Sequence, residues 1–302
     1  MTATTPPVGA IEDTTPKKPK SPAGEVIDNL RRSVSGMIGI GLIVAHIVIA
    51  LISPVIRPYD PLENNSAHRR EAPSAEFWFG TDRTGRDVFS RSLTGGRTII
   101  LVTVVGTGIA LIWGSFAGIM LGYVGGRADD FAMRIVDAFL AIPWLLFLLL
   151  IIGTVGTEPW IQALTLGFFY GIPIIRVSRA ATHDYVTREF IQAARARGES
   201  KRTVVLRELL PNVMDVLLVE GAMRWSWMLL AFASLSFLGF GVPPPTPDWG
   251  RMISENRDIL PLQPWATFGP TIMLSSLIIG INLFADALAK ALGLDRSQGA
   301  PL

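Results

Sequence analysis

Cysteine is absent from the 302-residue chain, which excludes disulfides, thiolate metal sites and cysteine nucleophiles. A Gly-Lys pair is absent too, so there is no phosphate-cradling loop of the GxxxxGK[ST] type. The three histidines, His46, His68 and His183, are scattered, and neither an HExxH pattern nor a carboxylate constellation accompanies them. We therefore predict no catalytic residue, no metal site and no cofactor in this chain.

Charge is also sparse. Charged residues make up 17% of the chain and hydrophobic residues 49%, and the mean hydropathy is +0.41. The formal charge of +2 is too small to indicate binding to nucleic acid. Long apolar runs separated by polar segments are typical of a polytopic helical membrane protein, so we predict an all-α fold in contact with lipid. The first run lacks a cleavage pattern of small residues and is interpreted as a retained anchor.

Six of these apolar runs each predict a transmembrane helix, and the first has the length needed to cross about 30 Å of hydrocarbon. The runs cover 34–56, 98–123, 135–153, 160–175, 213–240 and 267–288. The flanking segments are predicted as a disordered cytoplasmic tail with an interfacial segment over 1–33, an extracytoplasmic loop over 57–97, a membrane core over 98–292, and a cytoplasmic tail over 293–302. The largest excess of Lys and Arg between two spans falls in 176–207, which places this loop and both termini in the cytoplasm.

The second run carries a small residue at every fourth position: Gly106, Ala110, Gly114, Gly118 and Gly122. Such a stripe predicts close helix packing within the subunit or against a partner, with a gating hinge as the alternative. Pro143 predicts a kink within the third span.

Four of the polar residues within predicted spans are considered as functional candidates. Glu220 and Arg224 stand at i and i+4 with the acid first, the favourable order for a helical ion pair. A structural pair is the preferred interpretation, and a residue pair lining a pathway or gate is the alternative. Asp286 is a further candidate near the inner end of the sixth span, and His46 is interpreted as a packing or polar contact. A secondary transporter would use Glu220, Arg224 and Asp286 as ion-coupled sites.

The predicted cytoplasmic loop over 180–212 has a regular pattern. Phe190, Ala193, Ala194 and Arg197 are spaced like one helix face, and Gly198 then interrupts the pattern. The pattern resumes over 203–210 and is expected to stop at Pro211. This predicts two short helices joined at a glycine, with an ordinary amphipathic linker as the alternative.

Three motifs carry a resemblance to a known family. Gln192-Ala193-Ala194, then Gly198 and Leu210-Pro211, resemble the "EAA" loop of ABC importer permeases. The segment 79–91, FGTDRTGRDVFSR, resembles the "LGTDxxGRD" motif of the dipeptide, oligopeptide and nickel group. The segment 243–252, PPPTPDWGRM, resembles the Pro-rich, Trp-Gly segment that follows the fifth span in the same group. The resemblance implies a type I ABC importer permease fold and the second, "C"-type, permease subunit of a bacterial inner-membrane importer.

The resemblance also implies partners: a homologous permease forming a heterodimer, two ABC ATPase subunits that bind ATP and Mg, an extracytoplasmic substrate-binding protein, and lipid. Dipeptides or oligopeptides are the expected substrates, with nickel chelates or other small solutes as the alternative.

The resemblance assigns two sets of residues. ATPase coupling is assigned to Glu189, Gln192, Ala193, Ala194, Arg195, Arg197, Gly198, Leu210 and Pro211. The extracytoplasmic motif comprises Gly80, Thr81, Asp82, Gly85, Arg86 and Asp87. Gln192 departs from the family pattern because an acid is expected there, and Glu189, nearly one turn earlier, is the candidate replacement.

Overall fold

The computed structural model of the chain describes residues 22–294. Most of the tail predicted as disordered, and the C-terminal tail beyond residue 294, lie outside the described residues. Helix α1, Pro22–Arg32, is amphipathic and ends on two arginines. The Ser33 hydroxyl accepts from the Gly36 amide and caps α2, Val34–Ile56, which occupies the residues predicted for the first span.

Within residues 22–294, five helices are long and apolar enough to cross a membrane. They are α2 together with α3 (Val88–Val124), α6 (Pro159–Val186), α8 (Lys201–Phe237) and α10 (Trp265–Ala291). A sixth crossing results if the bent pair α4 (Gly126–Leu140) and α5 (Trp144–Val155) is one broken span. The all-α membrane fold predicted from composition is therefore confirmed.

The third span differs from its prediction. Instead of one helix with a kink, α4 and α5 meet at an angle of 83°, and α4 begins at Gly126, before the predicted start of the span at residue 135. Pro143 lacks an amide donor and disfavours helical backbone at the residue before it, so the helix ends at Leu140 and restarts at Trp144. Twelve residues make α5 about 18 Å long, shorter than the hydrocarbon core.

Three further boundaries were predicted wrongly. Helix α3 begins at Val88 rather than near residue 98, and α6 runs through Pro173 to Val186 rather than ending near residue 175. Pro211 does not stop a helix, since it stands in the first turn after a π-helical stretch, Val204–Leu209, within α8. The Leu210 amide reaches back to the Val205 carbonyl, and this wider turn lets the helix pass the proline.

Helices α3 and α6 form the centre of the subunit. A Cβ built on Gly114 would lie 2.5 Å from the Gly171 carbonyl oxygen, and one on Gly118 would lie 2.4 Å from the Ile175 carbonyl oxygen. Only glycine permits this backbone approach, which maximises dispersion contacts where lipid provides no hydrophobic drive. The prediction of close packing by the small-residue stripe is confirmed, and the packing is within the subunit.

The second predicted outer segment lies between the fifth and sixth predicted spans, over 241–265. It contains a short helix that was not predicted, α9 (Trp249–Asn256). Asp248 caps it by accepting from the amides of Gly250 and Arg251 at 2.9 and 3.3 Å. The Trp249 indole lies against Gly95 of α3 and donates to the Ser92 carbonyl at 2.8 Å. An Asp cap followed by Trp-Gly was the available signal, but eight residues are too few for a clear helical period.

Candidate functional site

The predicted cytoplasmic loop contains the two helical pieces expected. Helix α7, Glu189–Ala196, ends at Gly198, whose φ is +77°. The Gly198 amide bonds to the Arg195 carbonyl and the Glu199 amide to the Ala194 carbonyl, at 3.0 and 3.2 Å, which closes the helix with a left-handed glycine. Ser200 then caps the start of α8 through the Thr203 amide. Gly198 therefore sets a sharp turn between α7 and α8.

One face of α7 belongs to the subunit itself. Ile191 and Ala194 are fully buried against the apolar core. The Arg195 guanidinium carbon lies 4.7 Å from the ring centroid of Tyr123, near the C-terminal end of α3. Such a cation–π contact adds about 0.5–1 kcal/mol at an exposed site. These contacts fix α7 to the inner end of the membrane core.

The opposite face of α7 is exposed and carries most residues assigned to coupling. The exposed residues of α7 are Glu189, Phe190, Gln192, Ala193, Arg195 and Ala196, and Arg197 and Gly198, which follow the helix, are exposed as well. Ala194 was predicted to share a face with Ala193, and this is wrong because Ala194 is buried. Consecutive residues of a helix are rotated by about 100°, so adjacent alanines can lie on different faces. In α8, Leu210 is half-buried and Pro211 is exposed.

A buried ion pair missed by the sequence analysis lies near the inner ends of α4 and α6. The Asp129 carboxylate is 3% exposed and accepts from Nε and Nη2 of Arg179, each at 2.5 Å. His183 Nε2 lies 3.9 Å from the same carboxylate. The two partners are 50 residues apart in sequence, so no local spacing predicted the pair.

The extracytoplasmic motif is organised around the Asp82 carboxylate, which is 2% exposed. Its Oδ1 accepts from the Thr84 and Arg86 amides at 2.8 and 3.1 Å. Its Oδ2 accepts from Arg86 Nε at 2.7 Å and lies 3.7 Å from Arg91 Nε. Arg86 Nη2 also donates to Glu255 of α9 at 3.2 Å, so the cluster connects the two outer segments.

The other motif residues shape the backbone around this cluster. Gly80 and Gly85 have φ of +67° and +83°, and a Cβ on Gly85 would lie 1.7 Å from the Asn65 carbonyl oxygen. Thr81 and Asp87 form an isolated antiparallel bridge. Asp87 then caps α3 by accepting from the Ser90 amide at 2.8 Å. The motif is a closed turn that begins α3.

Two outer carboxyls have opposite electrostatic environments. Burial opposes ionisation of Asp82, but the charges of Arg86 and Arg91 and the bonds from Thr84 outweigh it, so the pKa of Asp82 is lowered. Burial dominates at Asp248 and raises its pKa, despite hydrogen bonds from the Ser236 hydroxyl and two amides. Asp82 is therefore held ionised by its partners, whereas the environment of Asp248 favours the neutral acid.

The intramembrane candidates are only partly brought together. Arg224 and Glu220 form the predicted pair, with Nη2 and Oε1 2.5 Å apart. Asp286 is exposed on α10, and no ion pair involving it is found among the described residues. His46 contacts the Leu42 carbonyl and Ser276 Oγ at 2.8 and 3.1 Å, a polar contact between α2 and α10. No group of three metal-ligating side chains occurs within residues 22–294.

These features define a multi-pass membrane component with a self-contained ionic cluster at the start of α3 and an ordered, partly exposed helix near the other end of α3. The sequence matches two known families: "Binding-protein-dependent transport system inner membrane component" over residues 114–295, and "N-terminal TM domain of oligopeptide transport permease C" over residues 21–73. The chain belongs to the family of binding-protein-dependent transport system inner-membrane components. It is a multi-pass permease subunit of an ABC transport system in the bacterial inner membrane, and not a catalytic one.

Relatives are similar over most of the chain. The dipeptide transport system permease protein DppC of Alkalihalophilus pseudofirmus is 33% identical over 274 residues, which cover 90% of each chain. The di/tripeptide transport system permease protein DppC of Pseudomonas aeruginosa is 31% identical, with 90% of this chain and 92% of the relative covered. The oligopeptide transport system permease protein OppC of Bacillus subtilis is 32% identical, with 87% and 86% covered. The resemblance inferred from the motifs is confirmed.

Proposed function

We propose that the chain is the "C"-type permease of an importer for dipeptides or oligopeptides. The relatives similar over most of its length are named as permeases for dipeptides, di/tripeptides and oligopeptides. The match over residues 21–73 supports the same subgroup. Import of nickel chelates is the alternative, because the corresponding motif occurs in that group as well.

The exposed face of α7 is the proposed docking surface for an ABC ATPase subunit. The main support for this proposal is that the helix has two different faces. Ile191 and Ala194 are buried within the subunit, whereas Gln192 and Ala193 are exposed. A helix of eight residues is unstable alone, so its contacts with the core keep it ordered for a partner. Gln192 replaces the family's acid, and Glu189 is exposed close enough to supply a carboxylate.

Movement of the ATPase would reach the membrane through α8. This helix is continuous from Lys201 to Phe237, so its length is about 55 Å. Gly198 separates it from α7, while burial of Val204 and Val205 holds its first turns against the core. A displacement of α7 is thus passed to a rigid rod, and ATP and Mg stay on the ATPase subunits.

The remaining partners follow from the same proposal. A homologous permease would complete a heterodimer, with substrate crossing between the two subunits, and a binding protein would deliver it from outside. Glu220, Arg224 and the exposed Asp286 belong beside that partner or a water-filled pathway, because charged groups in lipid are costly. A secondary transporter would instead work without ATP.

Charge reversal tests the docking surface. Arg197 is 59% exposed and pairs only with Glu199 among the described residues, so Arg197→Glu leaves the core intact. We expect loss of the co-purified ATPase and of ATP hydrolysis stimulated by the binding protein. Arg127→Glu, on an exposed residue outside the loop, is the matched control. Retention of both properties by Arg197→Glu contradicts the docking role.

Uptake measurements test the substrate class. A strain lacking the importer is expected to lose uptake of labelled dipeptides or oligopeptides, and plasmid expression of the full system should restore it. Restoration of nickel-chelate uptake alone would support the alternative. ATP-independent uptake by this chain alone would support a secondary transporter.

A further inference from the structure

A second feature of the outer face is a pocket of about 300 Å³ between the chain following α2 and the motif turn. Four acidic residues line it: Asp60, Glu63, Glu76 and Asp87. No basic residue is part of the lining. Arg57 Nη1 lies 3.7 Å from Asp60 Oδ1, and the Asp60 side chain is 53% exposed. Arg57 therefore compensates little of the negative charge.

Asp87 is the deepest of the four. It is 4% exposed, and its Oδ2 is occupied as the cap of α3 by the Ser90 amide. Its Oδ1 is buried and has no hydrogen-bond partner among the described residues. Such an acceptor is destabilising unless a donor reaches it. The pocket lining therefore includes a carboxylate, Asp87, whose Oδ1 has no donor among the described residues, next to three other acidic residues.

Aromatic rings complete the lining. Tyr59 and Phe77 contribute a wall in which the two ring centroids lie 5.1 Å apart. Desolvation, followed by the charges of Glu76 and Asp87, raises the pKa of the Tyr59 hydroxyl, as a negative environment requires. Aromatic faces attract organic cations and cover the apolar stem that bears them.

This chemistry fits an ammonium or guanidinium group. The carboxylates of the described residues do not converge in threes as metal ligation requires. A long basic side chain instead carries donors on an apolar stem, so its head can meet the carboxylates while its stem lies along the rings. A lysine or arginine side chain therefore satisfies both parts of the lining.

We propose that this acidic pocket receives a lysine or arginine side chain of the extracytoplasmic substrate-binding protein. The inference rests on the proposed function, which places this face outside and supplies that partner. The pocket directly adjoins the rigid motif turn, since Gly85 and Asp87 contribute to its lining. Docking there would contact the turn from which α3 begins, and α3 extends to the inner end of the subunit.

The test uses the assembled importer in nanodiscs made of phosphatidylglycerol, because its headgroup carries no ammonium group that could compete for the pocket. Glu63→Gln and Glu76→Gln are combined, because both side chains are exposed and neither caps a helix. We expect about tenfold weaker docking of the binding protein and a shallower dependence of its Kd on salt. Glu158→Gln, an exposed acid on another outer turn, should leave both unchanged.

The outcomes separate the two proposals. If the unmodified importer does not bind the binding protein at all, the proposed function fails. If it binds, and the double variant retains both the affinity and the salt dependence, the pocket proposal is overturned while the proposed function stands. Weaker docking with normal ATPase assembly supports the pocket, and a photo-crosslinker at Glu63 should then label the binding protein at a basic residue.

Discussion

The outer motif and the cytoplasmic loop use charged residues in opposite ways. Asp82 and Arg91 are almost completely buried, and their partners lie within the same chain. Along α7 the polar residues Glu189, Gln192 and Arg197 are exposed, and only Ile191 and Ala194 face the core. One region is complete within the subunit, whereas the other presents an ordered but uncovered surface.

This difference indicates that two motifs recognised through the same family resemblance serve different purposes. A buried ionic cluster is costly to desolvate and becomes still more costly when one member is removed, so it fixes a structure. Exposed polar residues contribute little to stability, and under the proposed function their regular arrangement serves a partner. Substitutions in the outer motif should therefore lower the stability of the subunit, whereas substitutions on the exposed face of α7 should weaken its assembly with the ATPase.

The largest expected effect comes from Asp82→Asn. The substitution preserves shape but leaves Arg86 and Arg91 without their shared carboxylate, and removing one member of a buried pair costs about 3–5 kcal/mol. We expect a strongly lowered Tm for the purified subunit and little assembled importer. Asp258→Asn is the control, because its pair with Arg83 is about half exposed and should contribute less than about 1 kcal/mol. Equal Tm values for both variants would contradict the comparison.

The resemblance located the outer motif, but the sequence alone did not predict how it is satisfied. The spacing of Asp82 and Arg86 is local, and a turn followed by a helix start was expected there. The contact from Arg86 to Glu255 joins residues 169 apart, across two outer segments and all intervening helices. Such contacts depend on tertiary packing, and no periodicity within one segment contains them.

Adjacent alanines in α7 sharpen the comparison within one motif. Ala194→Leu adds three carbons at a fully buried position, and overpacking of this kind costs about 1–3 kcal/mol. Ala193→Leu adds the same atoms on the exposed face and should leave Tm unchanged while reducing co-purified ATPase. A lowered Tm for Ala193→Leu, with none for Ala194→Leu, would reverse the assignment of the two faces.

The structural connection between the two regions is the α3–α6 pair, and two glycines of α3 test it. A Cβ at Gly118 would lie 1.9 Å from Ser178 Oγ and 2.4 Å from a backbone oxygen, so Gly118→Ala must separate the helices at a cost of about 1–3 kcal/mol. A Cβ at Gly108 meets nothing within 4 Å, so Gly108→Ala should be neutral or slightly stabilising. Thermal unfolding of both variants checks this, and a neutral Gly118→Ala would refute close packing as the connection.

The long apolar runs located most of the fold because a membrane span requires such a run. This signal failed where local chemistry and packing compete. Pro143 separates α4 from α5, whereas Pro173 lies inside α6 and Pro211 is passed by a π-helical turn. Proline therefore has a different effect at each of these three positions, and the effect depends on the conformation of the neighbouring backbone. The faces of α7 were likewise undetermined, since the sequence does not show which side the core occupies.

The smallest expected effect concerns pH and separates two carboxyls of the outer face. The pKa of Asp82 is lowered, so its contribution to stability is present above the unfolded pKa of about 3.9 and is lost as pH falls through the folded value. The pKa of Asp248 is raised, so its contribution has the opposite sign: it is present at low pH and is lost as pH rises through the folded value. Asp248→Asn removes this titration, keeps an acceptor for the Gly250 amide, and lets an amide nitrogen donate to Ser236 Oγ. We expect a slightly higher Tm than the unmodified protein at pH 8 and no gain near pH 4, whereas a gain that is equal at both values would show that Asp248 is ionised throughout.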